Sequence, residues 1–271
     1  MDDGRVMWAR DVVQVAAALG ARVVAVESVR GAQRWAAQVH DRIWAEFRSV
    51  YPGQMWVLVN TSQHGLPQER PRVFWLLAPE VFTLAPPSPQ PCPTILDCLA
   101  GVPRAGEPAV PENASYVFAL PPGEHVAILE ALAPGTRLGC MNPDWIRVRS
   151  PKLAEAMAGR DLIGYLPKRL RNDACAPVVM GWTARHVHPT EPRYLTHREL
   201  SRLCGFPDAW RWTPERPGLA QEELGQNVCP PVAAWLAREV AAYLRGDRIG
   251  QGTGSTVIDM TDPQGQLSLT L

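Results

Sequence analysis

Along the first eighty residues the apolar positions switch between two periods. From Trp8 to Leu19 they recur at helical spacing, and the run "RVVAV" at Arg22 to Val26 then reads as a short β-branched strand closed by the carboxylate of Glu27. A second amphipathic stretch, Ala32 to Phe47, leads to the apolar run Met55 to Val59, a turn-rich segment, and a further apolar run from Arg72 to Ala78. Helix and strand alternate, and the runs are apolar nearly throughout instead of at every second residue. Strands covered on both faces read this way, so the fold class is α/β, a partial doubly wound sheet of three strands or so.

The pattern then changes. Between Pro79 and Pro122 proline is dense, which blocks helix interiors and central strands and predicts an extended connector. A helix is expected from Glu124 to Leu132. From Arg137 to Arg185 nine Lys or Arg stand against four Asp or Glu, making this the most basic portion of the chain. Helices return at Thr196 to Cys204 and Pro230 to Arg245, and the Gly-, Thr- and Gln-rich tail is expected to fray. The layout is therefore an α/β portion over 1–80, a connector with a helix over 81–135, an irregular basic region over 136–190, helices over 191–246 and a flexible tail over 247–271.

Composition narrows this only slightly. With 46% hydrophobic and 20% charged residues the chain can bury a core. Its 27 basic and 27 acidic residues cancel, so net charge does not announce a nucleic-acid partner. Six cysteines without a CxxC pair, and an N-terminus opening on Asp2 and Asp3, predict reduced thiols in a cytoplasm. No stretch approaches the roughly 18 uninterrupted apolar residues of a membrane span. The pair His186 and His188 has no Cys or carboxylate spacing to make a metal site, so none is expected.

Three stretches in order and register carry more. "LVNTSQHGLPQERPRVFWLLA", Leu58 to Ala78, is strand, Gly-x-Pro turn, Gln-x-Arg-x-Arg and strand; "RYLTHRELSRLCGFPDAW", Arg193 to Trp210, is a Leu-Thr-x-Arg-Glu helix and a Gly-Phe-Pro-Asp turn. "LGQNVCPPVAAWLAREV", Leu224 to Val240, places a Gly and an Asn before a helix. Together they resemble the eighth, ninth and tenth motifs of the DNA cytosine-5 methyltransferase family. With these in register "VVAVESVRG", Val23 to Gly31, resembles the sixth motif, with Ser28 in the asparagine position, and "PTILDCLAGVP" resembles the segment after the eighth. The likeness runs from about Arg10 to Leu244 and puts the basic region where the family has its target-recognition domain.

What the resemblance implies is specific. The family adds a cysteine thiolate to C6 of a flipped cytosine, so that C5 can take the methyl of S-adenosylmethionine. Negative charge then lands on the N3/O2 side, where a carboxyl that protonates N3 and a guanidinium that binds O2 stabilise it. Glu27 and Arg72 resemble these groups, and Arg70 would hold a phosphate or the partner carboxylate. Gln226 and Asn227 are the expected cofactor contacts. Gln68, Lys168, Arg169, Arg171, Trp182, Thr183 and Arg185 are the expected contacts to double-stranded DNA, with Gln68 orienting the turn and the ninth-motif residues Arg198 and Glu199 serving as scaffold.

The family's Pro-Cys loop and Gly-rich cofactor loop precede the sixth motif, and the 26 residues before Glu27 are too few for them, since one βαβ unit takes about 30. Pro91-Cys92-Pro93 has the dipeptide but no strand before it, and Gly250 to Gly254 follows a helix. The expectation is a separately encoded N-terminal half that supplies nucleophile and cofactor loop, docked on an open apolar strand edge. The rival expectations are a catalytically inactive DNA-binding remnant or regulator, and a start codon placed too late.

Overall fold

A computed structural model describes residues 4–32, 37–88, 90–102, 123–158, 166–181, 186–212, 217–248, 252–261 and 268–270. The chain divides into two compact units, one of residues 1–64, 70–90 and 231–271, the other of residues 65–69 and 91–230.

The first unit is built on a mixed sheet. Strands β1 (Val24–Val29), β2 (Gly53–Asn60) and β3 (Pro71–Ala78) fall where the apolar runs placed them, and β3 pairs antiparallel with both β1 and β2. Helices α1 (Gly4–Ala18) and α2 (Ala37–Phe47) pack on one face, with Ala9, Val13 and Ile43 meeting Trp56, Leu58, Trp75 and Leu77. Because successive strand residues point to opposite faces, Met55, Val57 and Val59 face the other way, where Phe82 donates its N–H to the Met55 sulfur and stacks on Tyr243 at 4.2 Å. Every residue of β2 but Asn60 is buried, as its unbroken apolar run required.

The tail departs from expectation. Residues Gly254–Asp259 form a strand parallel to β2, and Ser268–Thr270 pair antiparallel to it, so the sheet has five strands in the order β1, β3, β2, Gly254–Asp259, Ser268–Thr270. The Gly- and Thr-rich composition hid the alternation of "STVIDM", whose Thr256 and Met260 are buried. Pairing with the free ladder groups of β2 offsets the cost of ordering that segment.

In the second unit the proline-rich connector contains a short helix, α3 (Ile95–Leu99), started by a Thr94 and Asp97 capping box. Helix α4 (Gly123–Ala131) precedes α5 (Pro143–Arg149) and α6 (Pro151–Met157), each of the latter two with Pro in its first turn after an Asn142 or Ser150 cap. Two two-residue strands, β4 (Lys168–Arg169) and β5 (His186–Val187), are the only sheet among the described residues of this unit. Helices α7 (His197–Leu203) and α8 (Pro217–Gln226) follow, and α9 (Pro230–Arg245) returns the chain to the first unit.

Candidate active site

Glu27 stands opposite Phe74 in the β1–β3 register and Arg72 opposite Val29, so the two side chains share a face as a diagonal cross-strand pair. Arg72 Nε lies 2.7 Å from Glu27 Oε1, with the side chains 15% and 25% exposed. Burial raises the Glu27 carboxyl above the usual carboxylate range, and this outweighs the lowering by Arg72 and Arg70. A half-buried acid that keeps its proton more readily than usual, beside a fixed guanidinium, can deliver a proton to one atom of a ring while the guanidinium holds another. Arg70 is 1% exposed, and its N–H donates to Asn60 Oδ1 at 2.9 Å. Its charge acts on Glu27 from inside; so buried a guanidinium is not placed to meet a phosphate.

The turn before Arg70 is built by local chemistry. Thr61–His64 form a single 3₁₀ turn, and Gly65 follows at φ +76°, a conformation that suits glycine. Gln68, in the second unit, has no exposed surface; its amide donates to Leu203 O at 3.1 Å and to Cys204 Sγ at 3.3 Å. The Gln68 position also bridges to Ala176. It orients the turn and is not on a DNA-facing surface.

The basic region sorts its cations by burial. Arg169 is 5% exposed, and its guanidinium donates to the carbonyls of Leu132, Leu129, His188, Pro189 and Glu191. It therefore binds its own backbone, where the sequence pattern had placed it among DNA contacts. Arg171 is exposed and forks onto Asp173 at 2.8 and 2.6 Å, and Lys168 is half-buried on β4. Trp182, Thr183 and Arg185 lie outside the described residues. His186 Nε2 meets Pro177 O at 2.9 Å, while His188 Nδ1 accepts the N–H groups of Thr190 and Glu191.

The Leu-Thr-x-Arg-Glu helix is scaffold. Thr196 and Glu199 close a capping box on α7, and Glu199 also receives both guanidinium nitrogens of Arg193 at 2.8 and 2.9 Å. Burial works against the Arg193 charge, yet its hydrogen bonds to Glu199 and Glu191 hold its pKa above the ordinary value. Arg198 donates to the carbonyls of Pro207 and Trp210, and Arg202 forks onto Asp208, which together fold the Gly-Phe-Pro-Asp turn. Sequence reasoning does not single out Arg193; the Thr-x-x-Glu spacing three residues on is the available signal.

Gly225, in the last turn of α8, lies against Gly181: a Cβ there would come within 2.0 Å of the Gly181 nitrogen. Gln226, the last residue of α8, is exposed, and Asn227 is half-buried with its amide on Leu224 O.

Residues 149–242 match the family model described as C-5 cytosine-specific DNA methylase. The match spans about a third of the chain. It takes in α6 to α9, whereas Glu27 and Arg72 precede it. The chain also aligns with a DNA modification methyltransferase encoded within a prophage, from E. coli, at TM-score 0.67 and 17% identity, over 90% of this chain and 76% of that one. With the Dnmt2 methyltransferase of S. pombe the TM-score is 0.51 and the identity 14%, over 83% of this chain and 67% of that one. At such identities the likeness establishes a shared methyltransferase-like fold. No curated protein sequence matches significantly. Among the described residues no helix is long and apolar enough to cross a membrane.

Proposed function

We propose that this chain is the target-recognition and base-holding part of a DNA cytosine-5 methyltransferase, acting on double-stranded DNA with a companion chain that supplies the cysteine nucleophile and the cofactor loop. The Glu27–Arg72 pair carries the reading. When a thiolate adds to C6 of a flipped cytosine, Glu27 delivers its proton to N3 and Arg72 binds O2, so the charge pushed into the ring is met as it develops. The raised proton affinity of Glu27 suits that task, and its contact with Arg72 fixes where the proton is held. S-adenosylmethionine supplies the methyl group, and Gln226 and Asn227 would touch it, with most of its contacts falling to the companion.

Two observations support the companion. The unit that holds Glu27 and Arg72 contains none of the six cysteines, and in the other unit burial pushes the Cys98 and Cys175 thiols up to about 11, away from nucleophilic use. Furthermore, α1 is apolar on two sides. Ala9 and Val13 enter the core, while Trp8, Val12 and Val15 stand 67%, 49% and 58% exposed and Leu19, just past the helix, 80%. Beside it, β1 is an edge strand, paired among the described residues with β3 alone. A helix apolar on both sides and an unpaired edge together are what a covered interface leaves when seen from one side.

Mixing the chain with the product of a neighbouring gene that encodes a Pro-Cys loop, DNA and tritiated S-adenosylmethionine should transfer label, and Glu27→Gln should cut the rate about a hundredfold. Transfer by this chain alone, or none with any neighbouring product, would overturn the reading. Ser28 and Gln226, which depart from the family's asparagines, favour a second reading, an inactive DNA-binding regulator. On that reading the mixture binds DNA but stays unlabelled, and Glu27→Gln changes nothing.

A further inference from the structure

A cavity of about 560 Å³ opens in the first unit between the start of α9 and the chain that leaves β3. It lies away from the Glu27–Arg72 pair in its lining, which comprises His64, Gln90, Trp235, Arg238, Glu239 and Arg248 among others. Its apolar wall is Trp235 and several prolines; its polar groups are mostly donors.

Two of those groups are buried without a hydrogen-bond partner among the described residues, His64 Nε2 and Arg248 Nε. His64 is 8% exposed and set edge-on to Trp235 at 5.4 Å. Leaving such an atom unmet forfeits its hydration with nothing in return, so a site that keeps two of them in one cavity wall is suited to a ligand that meets both. Arg248 is already oriented: its terminal nitrogen pairs with Glu239 Oε2 at 3.0 Å, and the same carboxylate oxygen accepts the Ala85 N–H at 2.7 Å. Glu239 is thereby engaged by Arg248 and the backbone. Arg238 is exposed at the rim, and among the described residues no other carboxylate lines the cavity, so its charge is not met there by a second acid.

Guanidinium groups and a neutral imidazole offer N–H donors in a fixed arrangement, and the ligand group that accepts several of them while bearing charge is a phosphoryl group. We infer that this cavity binds a phosphoryl group, held by Arg238, Arg248 and His64, with Trp235 and the prolines receiving whatever the phosphate carries. The volume exceeds that of a bare phosphate and fits an ester. Burial and the nearby Arg238 hold the His64 pKa down at about 4, so His64 contributes a hydrogen bond and the arginines contribute the charge. The site does not depend on whether the chain methylates, since none of these residues touches the Glu27–Arg72 pair.

The phosphate can come from a DNA backbone or from a free phosphate ester, and the test separates them. The purified chain is titrated with sodium phosphate, with dAMP and with a short DNA duplex at matched ionic strength, read by the histidine ring signals in NMR. Saturable shifts of the His64 signals are expected, and Arg238→Gln, a change at an exposed position, should weaken binding about tenfold with an unchanged circular dichroism spectrum. If the source is DNA, Arg238→Gln also lowers the salt slope of duplex binding by about one; if it is a free ester, dAMP affinity falls and duplex affinity does not. Arg248→Lys, which keeps charge but removes the fork, should weaken the same ligand. Absence of a saturable His64 shift up to about 10 mM of every probe, or equal affinity in wild type and Arg238→Gln, overturns the assignment.

Discussion

Arg72 and Glu27 meet diagonally across β3 and β1 at 2.7 Å, and the carboxyl still binds its proton more tightly than an ordinary glutamate. Burial outweighs the cation here. Replacing Arg72 with Met removes the nearest charge that favours the carboxylate, so the Glu27 pKa should rise further, read from the pH dependence of its carboxyl ¹³C signal. The raised folded pKa also sets a stability slope. Its contribution is fully present below the unfolded glutamate pKa and is lost as pH rises through the folded one. The urea midpoint should therefore lose that increment at higher pH in the variant than in wild type. A Glu27 signal that titrates lower in Arg72→Met would refute the account.

Gly225→Ala should destabilise the second unit. Its methyl would enter the space of the Gly181 backbone, where the nearest atoms belong to main chain and not to a side chain that can turn away. A loss of about 2 kcal/mol or more in urea unfolding is expected, in the range of overpacked cores. Gly246→Ala, where a Cβ meets nothing within 4 Å but φ is +85°, serves as the comparison with backbone strain alone.

Arg169→Met strands the carbonyls of Leu132, His188, Pro189 and Glu191 that one guanidinium now serves. A cost of about 3 kcal/mol follows from leaving buried acceptors unmet. DNA affinity per folded molecule should hardly change, which filter binding on material corrected for its folded fraction can measure.

Acid should weaken the fold before its carboxylates titrate. Burial holds His64 and His197 down at about 4, so both are neutral when folded but charge near 6.5 when unfolded. Their contribution is present above the unfolded pKa and is lost as pH falls from about 6.5 to 4, by up to about 3 kcal/mol for each ring across that window. Unfolding followed at stepped pH should show that slope, and His197→Gln should flatten it.

Val15→Asp with Leu19→Asp should leave the isolated chain as stable as wild type, to within about 0.5 kcal/mol, because both positions are solvated. The same pair should abolish complementation by the companion chain. Transfer at the wild-type rate would show that the exposed side of α1 is not the docking face.

Much of this was legible along the chain. The runs at Met55 to Val59 and Arg72 to Ala78 became β2 and β3 because a doubly covered strand writes its burial as consecutive apolar residues, whereas β1, at the sheet edge, buries only Val24. The Thr-x-x-Glu spacing likewise announced the α7 cap, since a capping box is closed within four residues. Motif register singled out Glu27 and Arg72 separately, and the β1–β3 pairing brings them together.

Local pattern could not assign Gln68 and Arg169 to the interior, nor the last strands to the sheet. Whether a glutamine or an arginine faces solvent depends on which carbonyls surround it, and those of Leu203 or His188 lie far along the sequence. The Gly254–Asp259 segment is ordered by the free edge of β2 and not by its own propensity. Residue order alone thus determined the elements, because these are set by neighbours in sequence. Only the folded chain decided which polar groups are spent on the protein itself, because a hydrogen bond is a contact in space.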